Sequence, residues 1–262
     1  MRLGFSPTTA MMLDVDASFA LADELGLAFV ELSADVFEIA PFLQQVDHVR
    51  ALTRSTGVAT TVHLSYVDLN LASLSPAART TAVERSLRGL EYAHDVGASC
   101  GVLHTGFKYL HHAQVDPLVD EALRASLAAL EGSAVPIALE NLVIGPDDFL
   151  RSAQVLREVT QRHGMKNCFD VGHAYVEATR EGTDAIRDYL DTLGDDVIHL
   201  HLHDNHGQRD EHLPAGSGTI DYAALRSFLA AFEGTACLEI AGGPDGVRSS
   251  VAFVRGLLDG DA

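Results

Sequence analysis

Eight short strand-like segments recur along the chain, each followed by a stretch with helical spacing, and this alternation leaves few folds open. They are Leu3–Ser6, Phe29–Leu32, Thr60–His63, Gly101–His104, Ile137–Glu140, Asn167–Asp170, Val197–His201 and Ala236–Ile240. Strand and helix in strict succession is the pattern of parallel βα units, because a parallel neighbour can be reached only through a crossover. Eight units in 262 residues, of which 47% are hydrophobic, match one (β/α)₈ barrel better than two small domains. The expectation is an α/β chain folded as a single TIM barrel over residues 1–262. No linker, low-complexity tract or block of charge divides it.

Local signals agree. Ser75-Pro76 and Asp116-Pro117 each read as a capping side chain ahead of a proline at the first helical position, and Gly26, Gly57 and Gly97 read as helix stops. Leu87, Leu90 and Tyr92-Ala93 form an apolar stripe expected to face the barrel as core. The longest irregular stretches, 106–115 and 202–220, both follow strands, which in a barrel places them on the face that carries active sites.

Composition narrows the function classes. The apolar start is short before Asp14 and Asp16, so neither a secretory leader nor a membrane span is expected, and the protein reads as soluble and cytoplasmic with no membrane partner. Cys100, Cys168 and Cys237 are odd in number and sit in separate apolar stretches, which suits reduced core thiols better than a disulfide frame. The net charge is -19, and Lys108 and Lys166 are the only lysines among 18 basic residues. A polyanion would be repelled at long range, so nucleic acid is a disfavoured partner. Such a surface also suits high salt, and metal ions among the carboxylates would neutralise part of it.

The strand ends carry the chemistry. Side chains alternate across a strand. Ile137 and Leu139 should therefore face the helices, with Ala138 and Glu140 inward. Likewise Val62 and Leu64 should point outward, with Thr61 and His63 inward; Ile198, Leu200 and Leu202 outward, with His199, His201 and His203 inward. The same rule turns His104, Asp170 and Glu239 toward the barrel mouth. A lone inward imidazole is more often a hydrogen-bonded core residue, and a lone strand-end acid more often a helix cap. Several carboxylates converging on one mouth, with no lysine or arginine near them in sequence, need another positive charge, and divalent metal is the natural one. Asp170-Val171-Gly172-His173 and Asp210-Glu211-His212 add ligands. His199 lies one layer deeper, as a barrel-filling or supporting residue; His48, His94, His111, His112 and His163 are read as solvated or loop residues without a role.

These residues resemble the xylose-isomerase-like barrel superfamily, which holds sugar isomerases and epimerases together with the endonuclease IV nucleases. The resemblance covers nearly the whole chain. It rests on Val62-His63-Leu64-Ser65-Tyr66, Leu103-His104-Thr105-Gly106, Ala138-Leu139-Glu140-Asn141, Phe169-Asp170-Val171-Gly172-His173, His201-Leu202-His203-Asp204 and Leu238-Glu239-Ile240. Likeness to the epimerases implies one divalent ion on Glu140, Asp170, His201 and Glu239, with Glu140 and Glu239 as the catalytic acid/base pair and His173 on substrate hydroxyls. Likeness to the nucleases implies three zinc ions: one on His63, His104 and Glu140, a second on Glu140, Asp170, His201 and Glu239, a third on His173, Asp210 and His212. The chain departs from the nucleases at His201-Leu202-His203-Asp204-Asn205-His206-Gly207, where they carry His-Leu-Asn-Asp followed closely by a basic residue. The stretch from His203 through Arg209 to Pro214 resembles instead uncharacterised sugar phosphate isomerase/epimerase relatives.

The preferred expectation is therefore a metal-dependent isomerase or epimerase of a small sugar, polyol or sugar phosphate. One to three ions are expected, zinc or manganese, and His173, His203, Arg209, Gly242 and Gly243 would contact substrate, the two glycines at a helix N-terminus open to an anion. The alternative is a multinuclear zinc phosphoesterase resembling endonuclease IV. A barrel that binds a metabolite without turnover is the third.

Overall fold

The computed structural model describes residues 1–108, 112–142 and 152–260. In it the strand-like segments form β1 (Arg2–Phe5), β2 (Phe29–Ser33), β3 (Ala59–His63), β4 (Gly101–Leu103), β5 (Ile137–Glu140), β6 (Lys166–Asp170), β7 (Val197–Leu202) and β8 (Thr235–Leu238). Each strand pairs in parallel with the next, and β8 returns to β1 to close the barrel. Closure removes both sheet edges, so every strand has two hydrogen-bonded neighbours. Strand ends differ from the sequence expectation by a residue or two, and His104 and Glu239 stand just beyond β4 and β8.

The helices are α1 (Val15–Glu24), α2 (Ala34–Ile39), α3 (Val46–Thr56), α4 (Pro76–Val96), α5 (Asp116–Ala128), α6 (Ala153–His163), α7 (Val171–Glu181), α8 (Ala185–Leu193), α9 (Tyr222–Ala231) and α10 (Gly243–Asp259). Ser75 caps α4 by accepting from the Ala78 amide, Pro76 opens it, and left-handed Gly97 ends it. Asp116 does not cap α5: it is the first helical residue, and Val115 at the cap position makes no side-chain bond. The face α4 buries is Ala82, Ser86, Gly89, Leu90, Tyr92, Ala93 and Val96, so Leu87 falls on the flank and is 44% exposed. Small residues at 82, 86 and 89 let the helix lie close to the sheet, which moves the buried stripe off Leu87.

Two hydrophobic layers result. The larger lies between sheet and helices, from Phe5, Val30, Leu32 and Val62 to Leu139, Phe169, Leu200 and Leu238. The smaller fills the barrel with Val102, Ala138 and Cys168. Ile198 packs against this interior trio, not among the helices as alternation predicts. The β6/β7 register explains it, since Asn167 pairs with Val197 and Cys168 with His199, so the ladder skips residue 198. All three cysteines are free and buried. His163 is also buried, its Nδ1 2.7 Å from Glu131 at the end of α6, which corrects its reading as solvated; His111 lies outside the described residues. Among the described residues no helix is long and apolar enough to cross a membrane.

Candidate metal centre

Strands β3 to β8 each deliver a donor at or just beyond their ends, and parallel pairing keeps neighbours in register, with Asp170 opposite His201 and Glu140 opposite Cys168. The donors fall into three adjoining groups. In the first, His63 Nε2 lies 3.2 Å from His104 Nε2, and Glu140 Oε2 is 2.9 Å from His104 and 3.6 Å from His63. Ligand atoms about 2.0–2.1 Å from a tetrahedral ion stand about 3.3 Å apart, so this triangle already has the dimensions of a coordination face. Tyr66 packs edge-on to His63 and tilts over His104, held there because its amide donates to Asp35.

The second group gathers around His201. Its Nδ1 faces Glu140 Oε1 at 3.2 Å, Glu239 Oε2 at 3.5 Å and Asp170 Oδ2 at 3.7 Å. Glu140 is shared between groups, one oxygen in each. Asp170 serves twice: Oδ1 accepts the His173 amide at 2.6 Å as the cap of α7, while Oδ2 is fully buried with no hydrogen-bond partner. Asn141 clamps its backbone, giving Nδ2 to the Asp170 carbonyl and taking the Asp170 amide on Oδ1.

The third group comes from α7 and the loop after β7. Asp210 Oδ2 is 2.9 Å from His212 Nε2 and 3.3 Å from His173 Nε2, and His203 Nε2 is 3.5 Å from Asp210 Oδ1. His203 is fully buried, its ring stacked on His212 at 4.2 Å and 3.1 Å from Asp170 Oδ1. Gly172 makes room for it, since a Cβ there would stand 1.9 Å from His203 Cε1.

Three imidazoles share a mode of support. The Nδ1–H of His63 donates to the Leu64 carbonyl at 2.9 Å, that of His173 to Asn141 at 2.8 Å and that of His212 to Glu239 at 2.7 Å. With Nδ1 committed as donor, each presents its Nε2 lone pair to the cluster, the tautomer a metal ligand needs. His201 is reversed: its Nε2 lies 3.2 Å from Glu31 Oε1, which leaves Nδ1 toward the carboxylates.

Electrostatics follow from this crowding. Burial would raise the Glu140 carboxyl, but His201 and His104 hold it well below the usual range. Burial likewise opposes ionisation of Glu31, yet His199 and His201 keep it low. His63 is pushed the other way against its burial, up to about 9, by Glu140 and Glu239, and His212 also to about 9 by Asp210 and Glu239. Burial dominates at His104, which falls, as it must when a second imidazole 3.2 Å away carries the proton.

The donor set fits divalent ions on two observations independent of any resemblance. Within the three donor groups two buried carboxylate oxygens, Asp170 Oδ2 and Asp210 Oδ1, have no hydrogen-bond partner. The facing His63 and His104 nitrogens can accommodate one proton at most between them, whereas one cation satisfies both lone pairs.

The nine side chains named from sequence as ligands thus meet at one mouth. Arg209 does not join them, being 79% exposed and paired with Glu211, and Gly242 and Gly243 open α10 with Asp245 in its first turn. His203, expected on substrate, stands among the donors. Glu31 was missed. It is fully buried, accepts Thr61 Oγ1 at 2.8 Å and faces both His199 and His201. The signal was present, since a carboxylate at the centre of Phe29-Val30-Glu31-Leu32 must point inward by the same alternation.

Residues 19–257 match the profile of the family described as xylose isomerase-like TIM barrel. Over 236 residues the chain is 29% identical to the uncharacterized protein MJ1614 of Methanocaldococcus jannaschii, covering 87% of this chain and 88% of that protein. Over 221 residues it is 27% identical to the probable endonuclease 4 of Mycoplasma pneumoniae, covering 78% and 76%. Among solved structures, a D-tagatose 3-epimerase-like protein superposes with a TM-score of 0.83 at 21% identity, covering 100% of this chain and 98% of that one. Endonuclease IV from Thermus thermophilus gives 0.73 at 21%, covering 99% and 100%. At such identity these two likenesses are of fold.

Proposed function

This chain belongs to the xylose isomerase-like TIM barrel family, and from that premise we propose that it is a multinuclear, divalent-metal-dependent phosphoester hydrolase. The carrying observation is the position of Glu140. Both of its oxygens face imidazoles, Oε2 those of His104 and His63 and Oε1 those of His201 and His173, which supports a bridging role between two groups of donors. Proton exchange at a sugar carbon needs an oxygen free to approach it, and a Glu140 that held ions with both oxygens would have none. His63, His104, Asp210 and His212 would be superfluous around a single ion on Glu140, Asp170, His201 and Glu239.

In this reading His63, His104 and Glu140 would hold one ion, Glu140, Asp170, His201 and Glu239 a second, and His173, Asp210 and His212 a third. When bound, such ions lower the pKa of water and neutralise charge on phosphoryl oxygens. The protein's contribution is to orient. Backbone carbonyls of Leu64, Asn141 and Glu239 fix three imidazole tautomers, and Glu31 lies 3.2 Å from the far nitrogen of a fourth, His201. Three divalent ions would outweigh the five carboxylates Glu31, Glu140, Asp170, Asp210 and Glu239 by one charge, making the mouth attractive to a phosphate on an otherwise acidic protein. A net charge of -19 favours a small phosphoester over duplex DNA as substrate.

Isomerase or epimerase chemistry is the second reading, favoured by one observation: Glu140 and Glu239 both come within 3.5 Å of His201 Nδ1 and so flank one site. The two separate in one experiment. Protein reconstituted with zinc, manganese or cobalt is assayed on bis(p-nitrophenyl) phosphate and on an abasic duplex, and in parallel on ketoses in deuterated water. Hydrolysis that grows with two or three bound ions is expected; one ion per chain, deuterium incorporation into sugar and no hydrolysis would overturn the proposal.

A further inference from the structure

The third group differs from the other two in where its donors come from, α7 and the loop after β7 in place of the strand ends. Donor atoms of His173, His203, Asp210 and His212 all lie within 4.8 Å of one another, and two of the four residues are buried outright. His203 is the one without a place in the three ligand sets of the proposed function. Building on those sets, we propose that His203 is a fourth protein ligand of the His173, Asp210 and His212 site, so that an ion bound there has no open position and acts as a structural clasp for the loop between β7 and α9.

Several observations converge on it. His203 has no exposure, and its polar neighbours are Asp170 and Asp210, both of which keep an oxygen without a hydrogen-bond partner. Its Nδ1 makes no hydrogen bond, whereas His63, His173 and His212 are each pinned by a backbone carbonyl. The cluster itself therefore fixes its ring. Its Nε2, 3.1 Å from Asp170 Oδ1 and 3.5 Å from Asp210 Oδ1, is the nitrogen turned toward the carboxylates and so the one to ligate. The stack on His212, with planes 26° apart, sets the two rings side by side next to Asp210.

The backbone is arranged for a clasp. Asp204 and Leu213 exchange both of their amide-to-carbonyl bonds, at 2.9 and 2.8 Å, and so pinch off the loop that carries Asp210 and His212. The Asp204 carboxylate then takes the amides of Asn205, Gly216 and Ile220, and Asn205 Nδ2 reaches the Gly172 carbonyl on α7. Within the pinched loop His212 is left-handed, φ 48°, a conformation uncommon outside glycine. Strain of this kind persists where surrounding contacts over-determine it, and an ion joining β7, α7 and the loop would do so. Four protein donors that serve no other ion describe a closed, structural zinc site, whereas the second group shares Glu140 with the first.

The test is a zinc titration of chelator-stripped protein, with a chromophoric competitor, on wild type, His203→Ala and His203→Asn. Asparagine keeps a donor for Asp170 but supplies no imidazole. Expected is the loss of one class of ion, or its weakening by more than about 100-fold, in both variants while the remaining ions bind as in wild type; supporting residues alone typically change affinity by 10–100-fold. Cobalt(II) in the wild type should show the intense visible bands of a four-coordinate ion, and these should fade in the variants. Gly172→Ala, whose Cβ would press on the His203 ring while leaving all four donors unsubstituted, should weaken the same class. Unchanged stoichiometry with affinities inside that range in both His203 variants overturns the clasp alone. A wild type that takes up no zinc overturns it together with the proposed function.

Discussion

Glu31 on β2 and His201 on β7 meet across the inside of the barrel, Oε1 to Nε2 at 3.2 Å, although they are 170 residues apart and their strands are not neighbours in the sheet. Neither residue has any exposure. A carboxylate on the far nitrogen of a ligating imidazole sets its tautomer and raises its basicity, so Glu31 should govern how well His201 Nδ1 serves the Glu140, Asp170 and Glu239 group. Glu31→Gln preserves shape and removes the charge. Its expected effect is a 10–100-fold loss of affinity for one ion, read by zinc titration, with the far-UV circular dichroism unchanged. Full affinity in the variant would show that Glu31 only fills space.

Removing metal should destabilise the protein. Ions held by the folded cluster would have no such site in the unfolded chain, so saturation at about 1,000 times Kd should add about 4 kcal/mol. Chelation should lower the melting temperature, and zinc, manganese or cobalt should restore it. A melting curve indifferent to both chelator and metal would contradict a metal-dependent function of any kind.

The stripped protein should also lose stability as pH rises from about 6.5 to about 9. His63 and His212, raised to about 9 in the fold from the ordinary value of 6.5, bind more protons folded than unfolded in that window. Stability therefore falls as pH climbs through it, being fully present below 6.5 and lost above 9, while the carboxylates are ionised in both states and contribute no slope. Because those protons occupy the nitrogens a metal would take, zinc uptake at pH 7 should release protons. Denaturation midpoints across this range, and calorimetry in buffers of differing ionisation enthalpy, check both; a flat profile with no proton release contradicts the arrangement.

His104→Ala separates the two chemical readings. It removes a donor from the first group and leaves Glu140, Asp170, His201 and Glu239 in place. Hydrolysis should fall by about 100- to 1,000-fold in kcat/KM, the several kcal/mol of charge stabilisation that one ion supplies, with one fewer ion bound. Turnover that survives this change, on any substrate, would point to the single-ion reaction.

What the chain could reveal unaided was whatever local geometry dictates. The two-residue alternation of a strand turned Glu140, Asp170 and His201 inward, and Gly97 and Ser75-Pro76 marked the limits of α4, because such effects depend on a few neighbouring residues. Local reasoning failed where packing decides. Leu87 is displaced from the core because the small residues of α4 approach the sheet, and Ile198 turns inward because the β6/β7 ladder skips it. The sequence by itself determined that acids and imidazoles would crowd one rim of an eight-unit barrel. Only the tertiary structure decided which nitrogen each imidazole presents, that Glu140 bridges two groups, that His203 joins a third, and that Glu31 supports His201. Those depend on closure of the barrel, which sets β2 across from β7 and folds the loop after β7 onto α7, and contacts made over such chain separations have no local signature to read.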